Sequence, residues 1–235
     1  MKHGETDSSE KFAKILKEYL GLDLSLKSQE KFRLYLDELL SWNKRINLIS
    51  RKKEKSEDVY RHFLDSLLIF KAVKIPESAK VLDLGSGAGF PAIPIKILRE
   101  DLNITMVESI RKKALFLKKM IELLELEDMS ILQKRTEEIQ DQPEFHECFD
   151  FVTAKAFGKL KQTIYAAYPF LKQGGVLVAY KGSPYKSEII EFLKEPRNLK
   201  LQINDIKYFE IPEYEIKRFL VLIEKTLDFF LFLRL

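Results

Sequence analysis

Cysteine is almost absent from this chain of 235 residues, which carries only Cys148. A single cysteine excludes an intrachain disulfide and fits a protein of a reducing compartment. No cysteine or histidine stands at the spacing of a metal site, so we expect no bound metal. No apolar stretch reaches the ~20 residues that span a bilayer, the apolar tail 227–235 included.

Nothing in the first ten residues suggests secretion, since they are polar and contain no apolar core. We therefore expect a cytoplasmic protein, a monomer without membrane contacts. The net charge is +4, with a pI of about 8.9. This mild excess of basic residues permits a nucleic-acid partner without demanding one.

The order of apolar patterns predicts an α/β fold with a helical N-terminal extension. Residues 1–75 have helical periodicity, with Ser28 as the expected N-cap of the second helix. Strand and helix patterns alternate over residues 76–226, which predicts a mostly parallel sheet, and Ser109 is the expected N-cap of one of its helices. Two β-rich runs near the end predict a closing antiparallel hairpin. Residues 227–235 form a separate apolar tail.

The most informative segment is VLDLGSGAGF, residues 81–90. An apolar strand ends there in three glycines on alternate positions, Gly85, Gly87 and Gly89, as expected of a tight turn before a helix. In an open α/β sheet, an adenosine-containing cofactor binds at this turn. The spacing is not the G-x-G-x-x-G that cradles a pyrophosphate, so S-adenosylmethionine is the better candidate.

A second landmark is Glu108, which ends the next strand nineteen residues after Gly89. An acid at about this distance is placed to accept hydrogen bonds from both ribose hydroxyls. We expect it on an exposed rim of the cofactor pocket. The alternative is a charge that serves only the N-terminus of the following helix.

Several segments resemble one family, the bacterial ribosomal RNA small-subunit methyltransferase G, also called glucose-inhibited division protein B. The resemblance runs from about Leu39 to Gly182. The specific segments are WNKRINLI (42–49) and HFLDSL (62–67), followed by the glycine turn, VES (107–109), KKALFL (112–117), RTEE (135–138) and KG (181–182). The resemblance implies a class I, Rossmann-like methyltransferase that moves a methyl group from S-adenosylmethionine to N7 of a guanine in a functional loop of 16S ribosomal RNA.

The resemblance also implies cofactor contacts beyond the glycines and Glu108. By position these are Phe90, Thr136, Glu137 and Lys155. The family usually has arginine where this chain has Lys155, and lysine loses the planar, forked donor set. It also favours glycine where Ala92 stands.

Methylation of N7 needs no general base, because N7 already carries a free lone pair. The catalytic residues therefore stay undetermined, with Lys155, His62 and Asp65 as candidates. His62 and Asp65 lie three apart on one helical face. They could approach the base or the cofactor, or they could be a packing pair that joins the helical part to the sheet.

Nine residues are candidates for RNA contact: Asn43, Asn47, Arg51, Lys52, Lys53, Arg111, Lys112, Lys113 and Lys181. Asn43 and Asn47, four apart on one helical face, could bind RNA or close a helix end. Lys181 could hold a phosphate or cap a turn. The basic clusters could also be ordinary solvated surface.

Three other functions stay open at this point. A class I methyltransferase for a small molecule or a protein would turn over without RNA. A nicotinamide-dependent oxidoreductase would need a loop suited to a pyrophosphate. A non-catalytic binder would keep the fold without methyl transfer.

Overall fold

The structure is a computed structural model that describes residues 3–50, 55–183, 185–194 and 199–226. Three of the RNA candidates, Arg51, Lys52 and Lys53, lie outside the described residues. The apolar tail 227–235 lies outside them as well.

A seven-stranded sheet in the order β3-β2-β1-β4-β5-β7-β6 forms the centre of the described chain. Its strands are β1 Lys80–Leu84, β2 Asn103–Val107, β3 Met129–Leu132, β4 Phe149–Lys155, β5 Leu171–Lys181, β6 Leu201–Ile211 and β7 Ile216–Lys225. The first five strands pair in parallel, whereas β7 is antiparallel to both β5 and β6. The predicted parallel sheet with a closing antiparallel hairpin is confirmed.

Helices connect and precede the strands. They are α1 His3–Ile15, α2 Leu26–Asn43, α3 Ser56–Leu67, α4 Ile69–Ala72, α5 Ala92–Leu98, α6 Arg111–Leu123, α7 Thr136–Gln140, α8 Leu160–Ala167 and α9 Tyr185–Leu193. A π-helical turn, Leu16–Leu20, continues α1. None of the helices in the described part of the chain is both long and apolar enough to cross a bilayer.

The N-terminal helices pack on the sheet through a cluster of aromatic rings. Phe12 of α1 lies 5.2 Å from Phe32 of α2, and Phe63 of α3 lies 5.0 Å from Tyr35, measured between ring centroids. Tyr35 also donates to the carbonyl of Ala88 in the glycine turn, at 2.5 Å. The helical extension therefore contacts the turn that we expect to bind a cofactor.

Both predicted helix caps were wrong. Ser25, in an extended conformation, is the N-cap of α2, and its Oγ accepts from the backbone N–H of Ser28 at 3.1 Å. Ile110 is the N-cap position of α6, one residue after Ser109, without a side-chain cap. The carboxylate of Glu108 accepts from the N–H of Ile110 instead, so an acid two residues away replaces the expected serine.

Candidate cofactor and substrate site

The glycine turn joins β1 to α5 at the carboxyl end of the sheet. Gly85, Gly87 and Gly89 all have positive φ, at 67°, 58° and 96°. A Cβ on Gly85 would lie 2.9 Å from the ring of Phe157, and a Cβ on Gly89 would clash with the side chain of Ile93. The positive φ and the lack of room for a Cβ therefore both require glycine at Gly85 and Gly89.

Glu108 ties the glycine turn to the start of α6. Its Oε2 accepts from the N–H of Gly87 at 2.9 Å, and its Oε1 accepts from the N–H of Ile110 at 2.7 Å. The residue is only 5% exposed, so the expectation of an exposed rim was wrong. Burial follows from the two backbone donors that it satisfies. Each carboxylate oxygen retains a further lone pair for a ligand.

A cavity of about 210 Å³ opens beside this carboxylate. The residues that line it are Gly85, Val107, Glu108, Ser109, Lys134, Arg135, Thr136, Glu137 and Phe157. Four of the predicted cofactor contacts, Gly85, Glu108, Thr136 and Glu137, are thus brought together. Sequence reasoning missed Phe157, whose position two residues beyond the end of β4 was the available signal.

A second group of side chains lies at the end of β4. Lys155 Nζ is 2.8 Å from Asp65 Oδ2, and Arg218 donates to both oxygens of Asp65, at 2.7 and 3.0 Å. Burial alone would raise the pKa of Asp65, but Lys155 and Arg218 together hold it below the ordinary value. Burial lowers the pKa of Lys155, although Asp65 opposes this effect. Asp65 is thus an anion between two cations.

Phe90 lies between this group and the glycine turn. The ring of His62 stacks on it with centroids 5.1 Å apart, and Lys155 Nζ lies 5.1 Å from its centroid on a cation–π contact. The structure therefore brings together Phe90, Lys155, His62 and Asp65. Of the pair His62 and Asp65 on α3, Asp65 joins the helical extension to the sheet. A packing pair of this kind was one of the two roles that the sequence left open for these residues.

Sequence reasoning missed Arg218, although the sequence carries a signal for it. Arg218 follows Ile216 and precedes Leu220 on alternate positions of β7, so these three side chains share one face of the strand. Ile216 and Leu220 are buried. A charged residue in that alternation indicates a buried partner of opposite charge.

Asp83, the acid before the glycine turn, is fully buried. Its Oδ1 accepts from Thr153 Oγ1 at 2.7 Å, while its Oδ2 has no hydrogen-bond partner among the described residues. Burial raises the pKa of Asp83 to about 7. The site therefore contains one carboxyl group that can change its protonation near neutral pH.

The candidates for RNA contact are scattered. Asn43 ends α2, and its Oδ1 accepts from the N–H groups of Leu48 and Ile49 at 2.9 and 3.0 Å, so it closes a helix end. Asn47 lies beyond that end, and the expectation that it shares a helical face with Asn43 was wrong. Lys181 is buried and donates to Glu188 at 2.7 Å.

Helix α6 carries the remaining basic candidates. Arg111 and Lys112 are exposed, and Lys113 is half-buried. They begin three residues after Glu108, and none of them lines the cavity. In the described ranges, no group of three or more His, Cys, Asp or Glu residues could hold a metal ion.

Solved structures with the same fold include a predicted O-methyltransferase and a protein bound to AdoMet. A protein of Agrobacterium tumefaciens described as a predicted O-methyltransferase has a TM-score of 0.55 and 22% identity, covering 74% of this chain and 84% of its own. M. jannaschii TYW2, in complex with AdoMet, has a TM-score of 0.54 and 14% identity, covering 77% of each chain. The strand order, the glycine turn and these likenesses define a class I methyltransferase fold.

The family within this class follows from sequence comparison. The family GidB, rRNA small subunit methyltransferase G, matches residues 28–217. The protein named ribosomal RNA small subunit methyltransferase G of Desulfitobacterium hafniense is 35% identical over 94% of this chain and 90% of its own length. The protein of the same name from Roseiflexus castenholzii is 37% identical over 87% and 86%. The chain belongs to the GidB family.

Proposed function

We propose that the protein methylates 16S ribosomal RNA with S-adenosylmethionine, at N7 of a guanine in a functional loop of the small subunit. The observation that carries this proposal is the cavity beside Glu108 in a chain that belongs to the GidB family. The names of the relatives include methylation of ribosomal RNA. The choice of guanine N7 as the methylated atom is the more specific part of the proposal.

The residues around the cavity fit S-adenosylmethionine. The buried carboxylate of Glu108 keeps acceptor capacity for two ribose hydroxyls, and the glycine turn presents main chain instead of side chains. Thr136 and Glu137 line the cavity after β3, where we assign the adenine edge. When bound, the cofactor supplies an electrophilic methyl group on a positively charged sulfur.

The protein's contribution to the reaction is orientation and electrostatics. Aligning donor and acceptor can lower a barrier by up to about 7–11 kcal/mol in the best intramolecular cases. The Phe90 ring, held by His62 and Lys155, lies between the glycine turn and the group of Asp65, Lys155 and Arg218, which we call the substrate side. We assign the ring to a contact with the cofactor.

Arg218 fits the acceptor side of this proposal. Its side chain is 27% exposed, and two of its donors are fixed on Asp65. Arginine commonly donates to O6 and N7 of guanine together, but two donors of this side chain are held by Asp65, so we assign it a contact with O6 alone. Such a contact would hold the base while leaving the lone pair of N7 free to attack.

The test is transfer of tritium-labelled methyl groups from S-adenosylmethionine to small ribosomal subunits from a methylation-deficient strain. We expect label in 16S RNA, and none in large subunits or in small-molecule acceptors. Cofactor binding without transfer to RNA would indicate a binder, and label in small molecules or protein would indicate another methyltransferase. Either result contradicts the proposal.

A further inference from the structure

Three aromatic rings form a stack where the C-terminal hairpin meets α9. The centroids of Tyr185 and Phe219 are 3.9 Å apart at an interplanar angle of 27°, and those of Tyr208 and Phe219 are 4.8 Å apart at 32°. Tyr208 and Phe219 are direct cross-strand partners of β6 and β7, and Tyr185 begins α9. We call these three residues the aromatic platform.

The aromatic platform is partly open to solvent. Tyr208 is 48% exposed, whereas Tyr185 and Phe219 are half-buried, and Tyr185 also packs against a hydrophobic cluster of the core. The rings line an open groove of about 420 Å³ together with Ser183, Lys186 and Lys217. Aromatic side chains that do not fill a core but face a groove indicate a binding surface.

The charge of the groove favours an anionic ligand. Its charged lining residues are the exposed Lys186 and Lys217, without an acid among them. Glu210 lies beside the groove, where it pairs with Lys217 at 3.1 Å and accepts from the hydroxyl of Tyr208 at 2.7 Å. An exposed ion pair of this kind is weak, so a phosphate can replace Glu210 as the partner of Lys217.

The aromatic platform lies at the same end of the sheet as the candidate site. Phe219 pairs in register with Lys181, the last residue of β5, and Lys155 at the end of β4 pairs with the neighbouring Tyr180. Strands lie about 4.8 Å apart, so β7 is about 10 Å from β4. Arg218 and Phe219 are adjacent in sequence and point to opposite faces of β7. Strand β7 thus carries both Arg218, the ion-pair partner of Asp65, and Phe219, the central ring of the stack.

We propose that the aromatic platform binds unpaired bases of the acceptor RNA beside the nucleotide that is methylated. The inference rests on the proposed function and adds the form of the RNA, single-stranded at this contact. Aromatic rings bind unpaired bases by stacking, and lysines bind the connecting phosphates. Three rings flanked by two lysines match that chemistry.

The test compares three variants. Tyr208→Ala removes an exposed ring of the platform, and Tyr208→Phe keeps the ring without the hydroxyl. Tyr165→Ala removes a tyrosine of α8 that is similarly accessible, at 42% exposure, and lies outside the groove. Binding of a fluorescent unpaired RNA oligonucleotide is measured by anisotropy, and the KM for small subunits is measured by methyl transfer.

We expect Tyr208→Ala to weaken oligonucleotide binding and raise the KM about tenfold, with the Kd for S-adenosylmethionine unchanged. Tyr208→Phe and Tyr165→Ala should behave as the unmodified protein. Unchanged oligonucleotide binding by Tyr208→Ala would overturn the inference. If that variant loses only activity on assembled subunits, the platform contacts a ribosomal protein, which also overturns it. Failure of the unmodified protein to methylate any RNA would contradict the proposed function, and the oligonucleotide measurement would still decide the inference.

Discussion

Asp65 of α3 and Arg218 of β7 are joined by two hydrogen bonds, of 2.7 and 3.0 Å, across 153 residues of sequence. The same carboxylate holds Lys155 at the end of β4. The helical extension, the parallel part of the sheet and the C-terminal hairpin therefore meet at one buried anion. The position of the candidate substrate side depends on that anion.

Replacing Asp65 should destabilise the fold. Asp65→Asn leaves the charges of Lys155 and Arg218 without their counterion, and loss of one partner of a buried ion pair costs about 3–5 kcal/mol. We expect a value near the lower limit, because Arg218 is partly exposed. Urea unfolding measures the change in the free energy of unfolding.

The matched control for Asp65→Asn is Asp23→Asn. Asp23 also pairs with a lysine, Lys17, at 2.9 Å, but both side chains are exposed. We expect a change below about 1 kcal/mol for this variant. Equal effects of the two substitutions would show that the buried ion pairs do not hold the three parts together.

Glu108 should determine cofactor affinity. Glu108→Gln retains the size of the side chain but removes its charge and replaces one acceptor with a donor. Hydrogen bonds to charged groups contribute about 1.5–3 kcal/mol, so we expect the Kd for S-adenosylmethionine to rise about ten- to a hundredfold. Isothermal titration calorimetry measures it. Glu122→Gln, on the exposed surface of α6, is the control and should bind normally. A normal Kd for Glu108→Gln would refute its role as the ribose ligand.

The stability of the protein should fall between about pH 4 and pH 7 through Asp83. Its pKa is about 7 in the fold and near 3.8 in the unfolded chain, so the native state binds the additional proton in this range. This contribution is complete below pH 4 and is lost as pH rises through 7. At about 1.4 kcal/mol per pKa unit, the loss is at most about 4 kcal/mol.

Asp83→Asn isolates this effect, because the amide does not titrate. Urea unfolding at pH 4.5 and pH 7.5 gives the free energy of unfolding for both proteins. We expect the free energy of unfolding of the unmodified protein, minus that of the variant, to be smaller at pH 7.5 than at pH 4.5. A difference that is constant with pH would mean that Asp83 is ionised throughout.

The basic start of α6 should contribute to RNA affinity through phosphate contacts. We expect Arg111→Gln with Lys112→Gln to weaken RNA binding and to reduce the salt slope of the binding constant by roughly 1–2. The control pair, Lys71→Gln with Lys74→Gln, replaces exposed lysines that precede β1, at the opposite end of the sheet. Equal salt slopes for the two double variants would show that the start of α6 does not contact the RNA.

The sequence predicted the cavity better than the substrate side. Gly85 and Glu108 directly follow consecutive strands of one βαβ unit, so local patterns place them at the same end of a parallel sheet. Both line one cavity. Their roles in cofactor binding stay predictions, as do those of Thr136, Glu137 and Lys155.

The substrate side depends on contacts between distant segments. Arg218 meets Asp65 only because β7 inserts antiparallel between β5 and β6, and strand order cannot be read from periodicity. The wrong caps have a different cause, since Ser25 and Ser28 are both suitable cap residues and backbone geometry decides between them. Burial of Glu108 also escaped prediction, because its partners are main-chain donors of a folded turn.

The most direct measurement is identification of the methylated nucleoside. Small subunits from a methylation-deficient strain are incubated with the protein and labelled S-adenosylmethionine, and the 16S RNA is digested and analysed by mass spectrometry. We expect 7-methylguanosine at one position, confirmed by strand cleavage after borohydride and aniline. Label on another atom or base, or an absence of label in 16S RNA, would contradict it.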